Sequence, residues 1–142
     1  MSFNMTQEER EAFLADVHVG IVSIPEEGRG PLAVPVWYAY EPGGEVWFTT
    51  AKASRKGKLL GRARRISLCV QTEVDPYKYV SVEGPVVALE RAELERHERP
   101  MACRYYGKAK GDKYVETIDR SIESVVVRMR PERWYTVDYS KE

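Results

Sequence analysis

The chain has 142 residues, and its 22 lysines and arginines are balanced by 22 aspartates and glutamates. This length is typical of one domain with a buried core, so we expect residues 1–142 to form a single domain. The charge balance argues against nucleic acid as a partner, because a general nucleic-acid binder carries a clear basic excess. No apolar run approaches the roughly 20 residues of a membrane span, and the polar N-terminus does not read as a signal peptide. We therefore expect a cytoplasmic protein without a membrane partner.

Cysteine and histidine are scattered through the sequence and form no metal-binding pattern. The two cysteines, Cys69 and Cys103, lack the spacing of a zinc or redox motif. The two histidines, His18 and His97, belong to no cluster of possible ligands. The sequence therefore predicts reduced thiols and no metal site.

The N-terminal segment predicts one helix followed by three strands. Thr6 and Glu9 have the spacing of a capping box, which predicts a helix from Thr6 to about Asp16. The short turns between the strands favour antiparallel pairing. The predicted strands cover residues 17–24, 32–40 and 45–50, with turns at 26–30 and 41–44. In the second strand one face carries Leu32, Val34, Val36, Tyr38 and Tyr40, and the other carries Trp37.

The stretch from Trp47 to Arg65, WFTTAKASRKGKLLGRARR, has the layout of an anion-binding site. An apolar strand ends in threonines, a short loop follows, and Ser54 then begins a helix as a good N-cap. The free amides of the first turn and the helix dipole favour a negative group, and Arg55 and Lys56 add cations to that turn. The sequence therefore predicts a phosphate site, against the simpler alternative of a solvated basic helix. Further donors nearby are Thr49, Thr50, Lys52 and Lys58.

The remaining sequence predicts further strands joined by short helices. Gly84-Pro85 should bend or bulge the long strand in which it lies, because neither residue suits a central strand. Pro100 should break or kink the first helix. We therefore expect a mostly β fold, a small barrel of about six antiparallel strands with short connecting helices. These strands cover 65–72, 77–90 and 122–130, with a continuation at 134–137 after Pro131, and the helices cover 92–106 and 112–120.

Five segments carry a resemblance to a known family. They are VPVWYAY, VWFTT, SRKGKLL, RRISLCVQ and DPYKYVSVEG, in this order. The order resembles the flavin-binding split-barrel family typified by pyridoxamine 5'-phosphate oxidase, and it is most similar to the branch that includes reductases dependent on the deazaflavin coenzyme F420. Each segment is a weak motif, and their order and spacing together make the resemblance specific. The resemblance implies a split β-barrel and a homodimer with its cofactor in a groove between the subunits.

The resemblance also implies which residues hold the cofactor. The second strand would line the flavin ring, the third-strand end and the helix start would hold the phosphate, and Tyr79 would meet the ring or tail. Because large aromatic residues are enriched at interfaces, Trp37 and Tyr79 could instead fill the dimer contact. Lys52 and Lys58 are added for their chemistry and not from the motif. The implied residues are Val34, Pro35, Val36, Trp37, Thr49, Thr50, Ser54, Arg55, Lys56 and Tyr79.

The first functional hypothesis is an oxidoreductase that uses F420 or FMN to transfer a hydride to an unsaturated small molecule. The basic residues around the phosphate loop exceed what one phosphate needs, which favours F420 with its acidic tail. No residue is identified as catalytic. A proton could come from solvent or from a tyrosine such as Tyr38 or Tyr106.

Alternatives from other classes stay open. The chain could be a non-catalytic carrier or sensor of the same cofactor, because fold and cofactor site do not fix turnover. A haem-handling protein is disfavoured, since no axial histidine is evident near the groove. Oxidation of vitamin B6 is also disfavoured, because Val34 and Ala39 stand where the oxidase has basic residues and its C-terminal substrate-binding segment has no counterpart.

Overall fold

A computed structural model describes residues 2–141. The strands are β1 (Gly20–Ile24), β2 (Leu32–Val36), β3 (Ala39–Tyr40), β4 (Val46–Ala51), β5 (Arg65–Gln71), β6 (Lys78–Arg91), β7 (Ser124–Met129) and β8 (Arg133–Asp138). The helices are α1 (Gln7–Ala15), α2 (Arg55–Leu60), α3 (Arg99–Tyr106) and α4 (Lys108–Glu116), and a π-helical turn, Leu94–Glu98, leads into α3. Within residues 2–141, no helix combines the length and apolar character needed to cross a membrane.

The strands form two antiparallel halves that share β6. The first half has the order β2-β1-β5-β6-β8, and the second has the order β6-β7-β4-β3. The early part of β6 pairs with β5 and β8, and the part from Val86 onward pairs with β7. A register shift between Val86 and Ala88 marks the change of partner. The shared, bulged strand confirms the predicted split barrel and the irregularity expected beside Gly84-Pro85.

Gly84 lies where the two halves meet. A Cβ atom added to this residue would lie 1.7 Å from the carbonyl oxygen of Arg130, so the backbone leaving β7 passes directly over it. Two hydrogen bonds fix this crossing: the Arg130 amide donates to Pro85 at 3.1 Å, and the Glu132 amide donates to Glu83 at 2.9 Å. The crossing therefore requires glycine for the close approach.

Residues 2–141 contain eight strands, where the sequence predicts about six. The predicted strand at 32–40 divides into β2 and β3, because its pairing is interrupted at Trp37 and Tyr38. The continuation after Pro131 forms the full strand β8, which pairs with β6.

The helices of the second half differ from prediction in their bounds. The break expected at Pro100 is present, as the π-helical turn followed by α3. The helix predicted at 112–120 is α4 and lies at Lys108–Glu116. It begins early because Gly107, with a φ of 83°, ends α3 and starts α4 at once.

The core lies between the inner faces of the barrel and α1. The predicted capping box of α1 is present, with Thr6 and Glu9 each bonding the backbone of the other. The Tyr38 hydroxyl, fully buried, donates to the Leu14 carbonyl at 2.6 Å and so connects β2 and β3 to α1. The largest fully buried side chains include Tyr38, Phe48, Leu14, Ile24, Leu60, Leu68 and Met129.

Candidate functional site

The first turn of α2 packs directly against the end of β4. A Cβ atom at Gly57 would lie 2.2 Å from the carbonyl oxygen of Ala51, so glycine permits this contact. Ser54 is the N-cap, as predicted: its hydroxyl accepts from the Gly57 amide at 3.0 Å and donates to Ala51 at 2.7 Å. The hydroxyl of the buried Thr50 lies 3.4 Å from that of Ser54. These contacts join the strand end and the helix start into one structural unit.

The cations of this unit differ in how they are compensated. Arg55 forms an ion pair with Glu26 of the β1–β2 turn, and Lys52 lies 3.6 Å from the carboxylate of Glu123. Lys56 is half-buried, and burial lowers the pKa of its ammonium. Within residues 2–141, no carboxylate lies within ion-pair distance of Lys56. An incoming anion would therefore meet Lys56 as an uncompensated, partly desolvated cation.

Lys58 lies on the exposed side of α2. With Lys52 and Arg91 it lines an open hollow of about 530 Å³ between α2 and the β6–β7 pair. The floor of this hollow includes Leu89 and Val125. Lys58 therefore borders the predicted phosphate position without sharing the first-turn amides.

A pocket of about 260 Å³, which we call the Trp37 pocket, lies between β4 and the α3–α4 pair. Three predicted cofactor residues line it: Trp37, Thr49 and Thr50. The Trp37 indole stacks on Tyr105, with ring centres 4.9 Å apart and planes 7° apart, and Tyr106 meets it edge-on at 5.0 Å. The structure therefore places Trp37 in a pocket of its own chain. The other lining residues are Ala51, Glu98, Met101, Ala102, Tyr114, Ile118 and Ser124.

Two side chains of α3 hold the backbone beside Trp37. The Tyr105 hydroxyl accepts from the Tyr38 amide at 2.9 Å and donates to the carbonyl of His18 at 2.6 Å. Arg104 donates to the Tyr38 carbonyl at 3.0 Å. These bonds satisfy polar backbone groups that the sheet leaves unpaired where β2 ends. The interruption between β2 and β3 is thus stabilised from α3, and it fixes the position of the indole.

The other residues implied for the flavin ring lie elsewhere. Val36 is buried in the core, and Val34 is partly buried against it on the same side of β2. Pro35 is exposed on the outer face of the first half. Tyr79 lies on the same outer face, where its ring stacks on Tyr135 with centres 6.0 Å apart. Neither Pro35 nor Tyr79 lines the Trp37 pocket.

Glu98 lines the Trp37 pocket although the sequence offers no motif that would identify it. It ends the π-helical turn, in which the amides of Glu98 and Arg99 bond to carbonyls five residues earlier, those of Glu93 and Leu94. A π-helical turn rotates the following side chains relative to α-helical spacing. Apolar periodicity could not reveal this, and the only local signal is Pro100, which disturbs regular helix formation.

The two tyrosines considered as proton sources occupy different environments. The Tyr38 hydroxyl is bound to the Leu14 carbonyl, and burial raises its pKa. Tyr106 is exposed and packs against Trp37 at the edge of the pocket, with the ammonium of Lys110 4.3 Å from its ring centre. Of the two, Tyr106 is the exposed residue, and its ring contacts Trp37.

Comparison with known proteins places this geometry in a family. Residues 6–138 match the family model described as pyridoxamine 5'-phosphate oxidase. A search of curated protein sequences finds no significant match. Among solved structures, the conserved hypothetical protein Rv2991 from Mycobacterium tuberculosis is 23% identical, with 97% of this chain and 88% of that chain covered and a TM-score of 0.77.

Two further solved structures are similar to this chain, and the name of each includes a cofactor. An F420 reductase is 18% identical over 88% of this chain and 94% of that chain, with a TM-score of 0.70. A FAD-binding protein from Mesorhizobium loti is 20% identical over 93% of this chain and 92% of that chain, with a TM-score of 0.64. At these identities the structures show a shared fold. The family model runs from the N-cap of α1 to the end of β8, and with so complete a match the chain belongs to the pyridoxamine 5'-phosphate oxidase family.

Proposed function

We propose that the protein is a homodimeric oxidoreductase that binds F420 or FMN and transfers a hydride to an unsaturated small molecule. The observation that carries this proposal is the convergence of Trp37, Thr49 and Thr50 on one pocket whose β4 wall continues into the first turn of α2. An aromatic wall suits a planar ring, and hydroxyls and cations at the helix start suit a phosphate. The family and the cofactors named for the similar structures support the same class of ligand.

The residues present fit a phosphate-bearing ring cofactor. Gly57 lets the amides of the first α2 turn stay close to β4, and Lys56 has no acidic partner among residues 2–141. Tyr105 and Arg104 hold the backbone of Tyr38, the residue after Trp37, and the indole stacks on Tyr105, so Trp37 offers a fixed aromatic surface. When bound, the flavin or deazaflavin supplies two-electron hydride chemistry, and the chain supplies binding, orientation and exclusion of water.

The basic residues favour F420 over FMN only by a narrow margin. Arg55 and Lys52 are already paired with Glu26 and Glu123. The cationic excess over one phosphate therefore rests on Lys58, which lies outside the first turn on the exposed side of α2. An acidic tail that runs from the phosphate along α2 would reach this lysine.

A second subunit would complete the site. The Trp37 pocket measures about 260 Å³, which is below the roughly 300–1,000 Å³ of ordinary ligand sites. Pro35 and Tyr79 lie on the outer face of the first half, away from the pocket. A second subunit that placed this face against the pocket would bring its own Pro35 and Tyr79 to the cofactor groove and add a wall to it.

Fluorescence titration with FMN, riboflavin and F420 tests this function. Because riboflavin lacks the phosphate, we expect FMN to bind at least about ten- to a hundredfold more tightly, the value of one charge-assisted hydrogen bond. F420 should bind at least as tightly as FMN. Equal affinities for FMN and riboflavin would mean that α2 does not bind the phosphate. Cofactor binding without oxidation of the reduced cofactor by any acceptor would instead favour a carrier or sensor.

A further inference from the structure

A second compartment lies beside the Trp37 pocket. This outer compartment has a volume of about 230 Å³ and shares Glu98, Ile118 and Ser124 with the pocket. The two hollows are therefore neighbouring parts of one cleft, bounded by the π-helical turn, the segment after α4 and the start of β7. The cofactor residues line only the inner end of this cleft, so the outer part is free for another molecule.

Glu98 stands at the boundary between the two compartments, and its charge is not compensated. The neighbouring glutamates are both paired, Glu93 with Arg96 at 3.0 Å and Glu95 with Arg99 at 2.9 Å. For Glu98, no cation within residues 2–141 lies at ion-pair distance. The side chain is half-buried. A carboxylate without an ion-pair partner is free to pair with a bound cation through a charge-assisted hydrogen bond.

The backbone that presents Glu98 is fixed. π-Helical turns are rare and occur frequently at functional sites. Arg99, the next residue, forms an ion pair with Asp112 of α4 at 2.8 Å and so fastens the turn to the neighbouring helix. Pro100 cannot donate an amide hydrogen bond, which favours the irregular turn before it. Glu98 therefore lies on a braced element and not on a free loop.

The other charges of the cleft limit where a cation can bind. Arg91 and Arg120 line only the outer compartment, and they disfavour a positive group there. The Asp119 carboxylate accepts bonds from the amide and hydroxyl of Ser121, at 2.9 and 2.6 Å, and is thus already satisfied. Glu123, which also lines the outer compartment, lies 3.6 Å from the ammonium of Lys52. Glu98 is the acidic side chain common to both compartments, so the favoured position for a cation is the boundary.

We propose that the substrate binds at the boundary between the two compartments and that Glu98 determines specificity there, by selecting compounds with an ammonium or other cationic nitrogen beside a planar unsaturated group. The planar group would lie toward Trp37 and the cationic nitrogen against the Glu98 carboxylate. This inference deepens the proposed function, and it rests on that function for the role of the ligand as a substrate. The selection of a cation by the cleft is testable without any cofactor.

The test is a set of binding titrations with three matched probes at neutral pH. Binding is measured from the amide chemical shifts of the isotope-labelled protein. Benzylamine carries a cation, benzyl alcohol is neutral and benzoate is an anion, and all have the same ring. We expect benzylamine to bind about tenfold more tightly than benzyl alcohol, with shifts around Glu98, and benzoate to bind weakest. Glu98→Gln keeps the shape and removes the charge, so it should abolish the preference for benzylamine. Glu116→Gln, on the exposed end of α4, is the control and should retain the preference.

Each outcome of the test bears on one claim. Equal binding of the three probes to the unaltered protein, or a preference that survives in Glu98→Gln, would overturn the role of Glu98. FMN titration of the same samples addresses the proposed function separately. A preference for benzylamine in a protein that binds neither FMN nor F420 would leave the cation site standing and overturn the cofactor proposal. Normal FMN binding without any preference for benzylamine would support the cofactor proposal and overturn the cation site at Glu98.

Discussion

At the scale of single residues, the cations on the first turn of α2 are expected to contribute unequally to cofactor affinity. Lys56 has no carboxylate partner within residues 2–141, whereas Arg55 is paired with Glu26. A charge-assisted hydrogen bond contributes roughly 1.5–3 kcal/mol, so Lys56→Ala should weaken FMN binding about ten- to a hundredfold. Arg55→Ala should weaken FMN binding less than Lys56→Ala does, because Glu26 already compensates part of the charge of Arg55. Fluorescence titration of both variants measures the difference.

Arg64 provides the matched control for these substitutions. Its side chain is exposed and lines a hollow on the far side of α2, beside Pro25 and Leu59. Arg64→Ala should change cofactor affinity by no more than the roughly 0–1 kcal/mol of an exposed charge. If Arg64→Ala weakens binding as much as Lys56→Ala, the effect is general electrostatic attraction and the phosphate does not lie at α2.

The sequence predicts residues whose role is local better than those whose role depends on distant partners. The Ser54 cap follows from bonds to residues within three positions, and the structure confirms it. The pairing of Arg55 with Glu26 spans 29 positions, and no local pattern contains it. The cofactor roles of these residues stay predictions. Glu98 could not be identified from sequence, because it enters the pocket through a π-helical turn.

At the scale of elements, the crossing of β6 by the backbone after β7 makes a strong prediction for Gly84. In Gly84→Ala the added methyl would meet backbone atoms of Arg130, 1.7 Å from its oxygen, and backbone cannot move aside cheaply. We expect a loss of about 3 kcal/mol or more, which corresponds to a fall in melting temperature of roughly 6–12 °C for a chain of this size.

Gly30→Ala is the matched control for this substitution. Gly30 lies in the turn before β2, has nothing within 4 Å of an added Cβ, and does not have a positive φ. Its replacement should leave the melting temperature unchanged or slightly raised, because alanine restricts the unfolded chain. Equal melting temperatures for the two variants would mean that the halves of the barrel do not meet at Gly84.

The attachment of α1 predicts a specific loss of stability in acid. The hydrogen bond from Lys141, with the amide of Thr6, lowers the pKa of Glu9 to about 2 from the ordinary 4.5. Between these values the unfolded chain binds more protons, so the contribution of Glu9 is complete above about pH 4.5 and is lost as the pH falls toward 2. Glu9→Gln should lower the melting temperature at neutral pH and flatten its dependence across this acid range.

Glu8→Gln separates this effect from a general change of charge. Glu8 lies on the same turn of α1 and is exposed. Its substitution should leave the acid dependence of the melting temperature as it is in the unaltered protein. If Glu8→Gln flattens that dependence as much as Glu9→Gln, the bond from Lys141 is not its source.

At the scale of the whole molecule, local sequence patterns predicted where the strands lie. They did not predict which strands pair with each other. Alternating apolar residues located every strand approximately. The order β2-β1-β5-β6-β7-β4-β3 was not predicted, because it depends on pairings such as β4 with β7, far apart in sequence. The division of the second predicted strand into β2 and β3 was missed for the same reason, since Arg104 and Tyr105 stabilise it from α3.

The outer face of the first half is the surface that a second subunit would cover. Register places Pro35, Ile21, Cys69, Ser81 and Tyr135 in one row across five strands. Ile21 is 41% exposed and Tyr135 is 67% exposed, and contiguous apolar surface of this kind marks interaction sites. A two-fold dimer would bury the same surface on both subunits. We therefore expect the homodimer to form through this row, beside Tyr79.

Tyr135→Glu tests that interface. A buried aromatic side chain at the centre of an interface typically contributes about 2 kcal/mol or more, so the variant should dimerise at least roughly thirtyfold more weakly. Light scattering after gel filtration at micromolar concentration should show a dimer for the unaltered protein and a shift toward monomer for the variant. The control is Val74→Glu, which adds the same charge at a residue that is 75% exposed in the turn between β5 and β6. A dimer that Tyr135→Glu leaves intact would have to use another face, and a monomeric unaltered protein would leave the Trp37 pocket without its second wall.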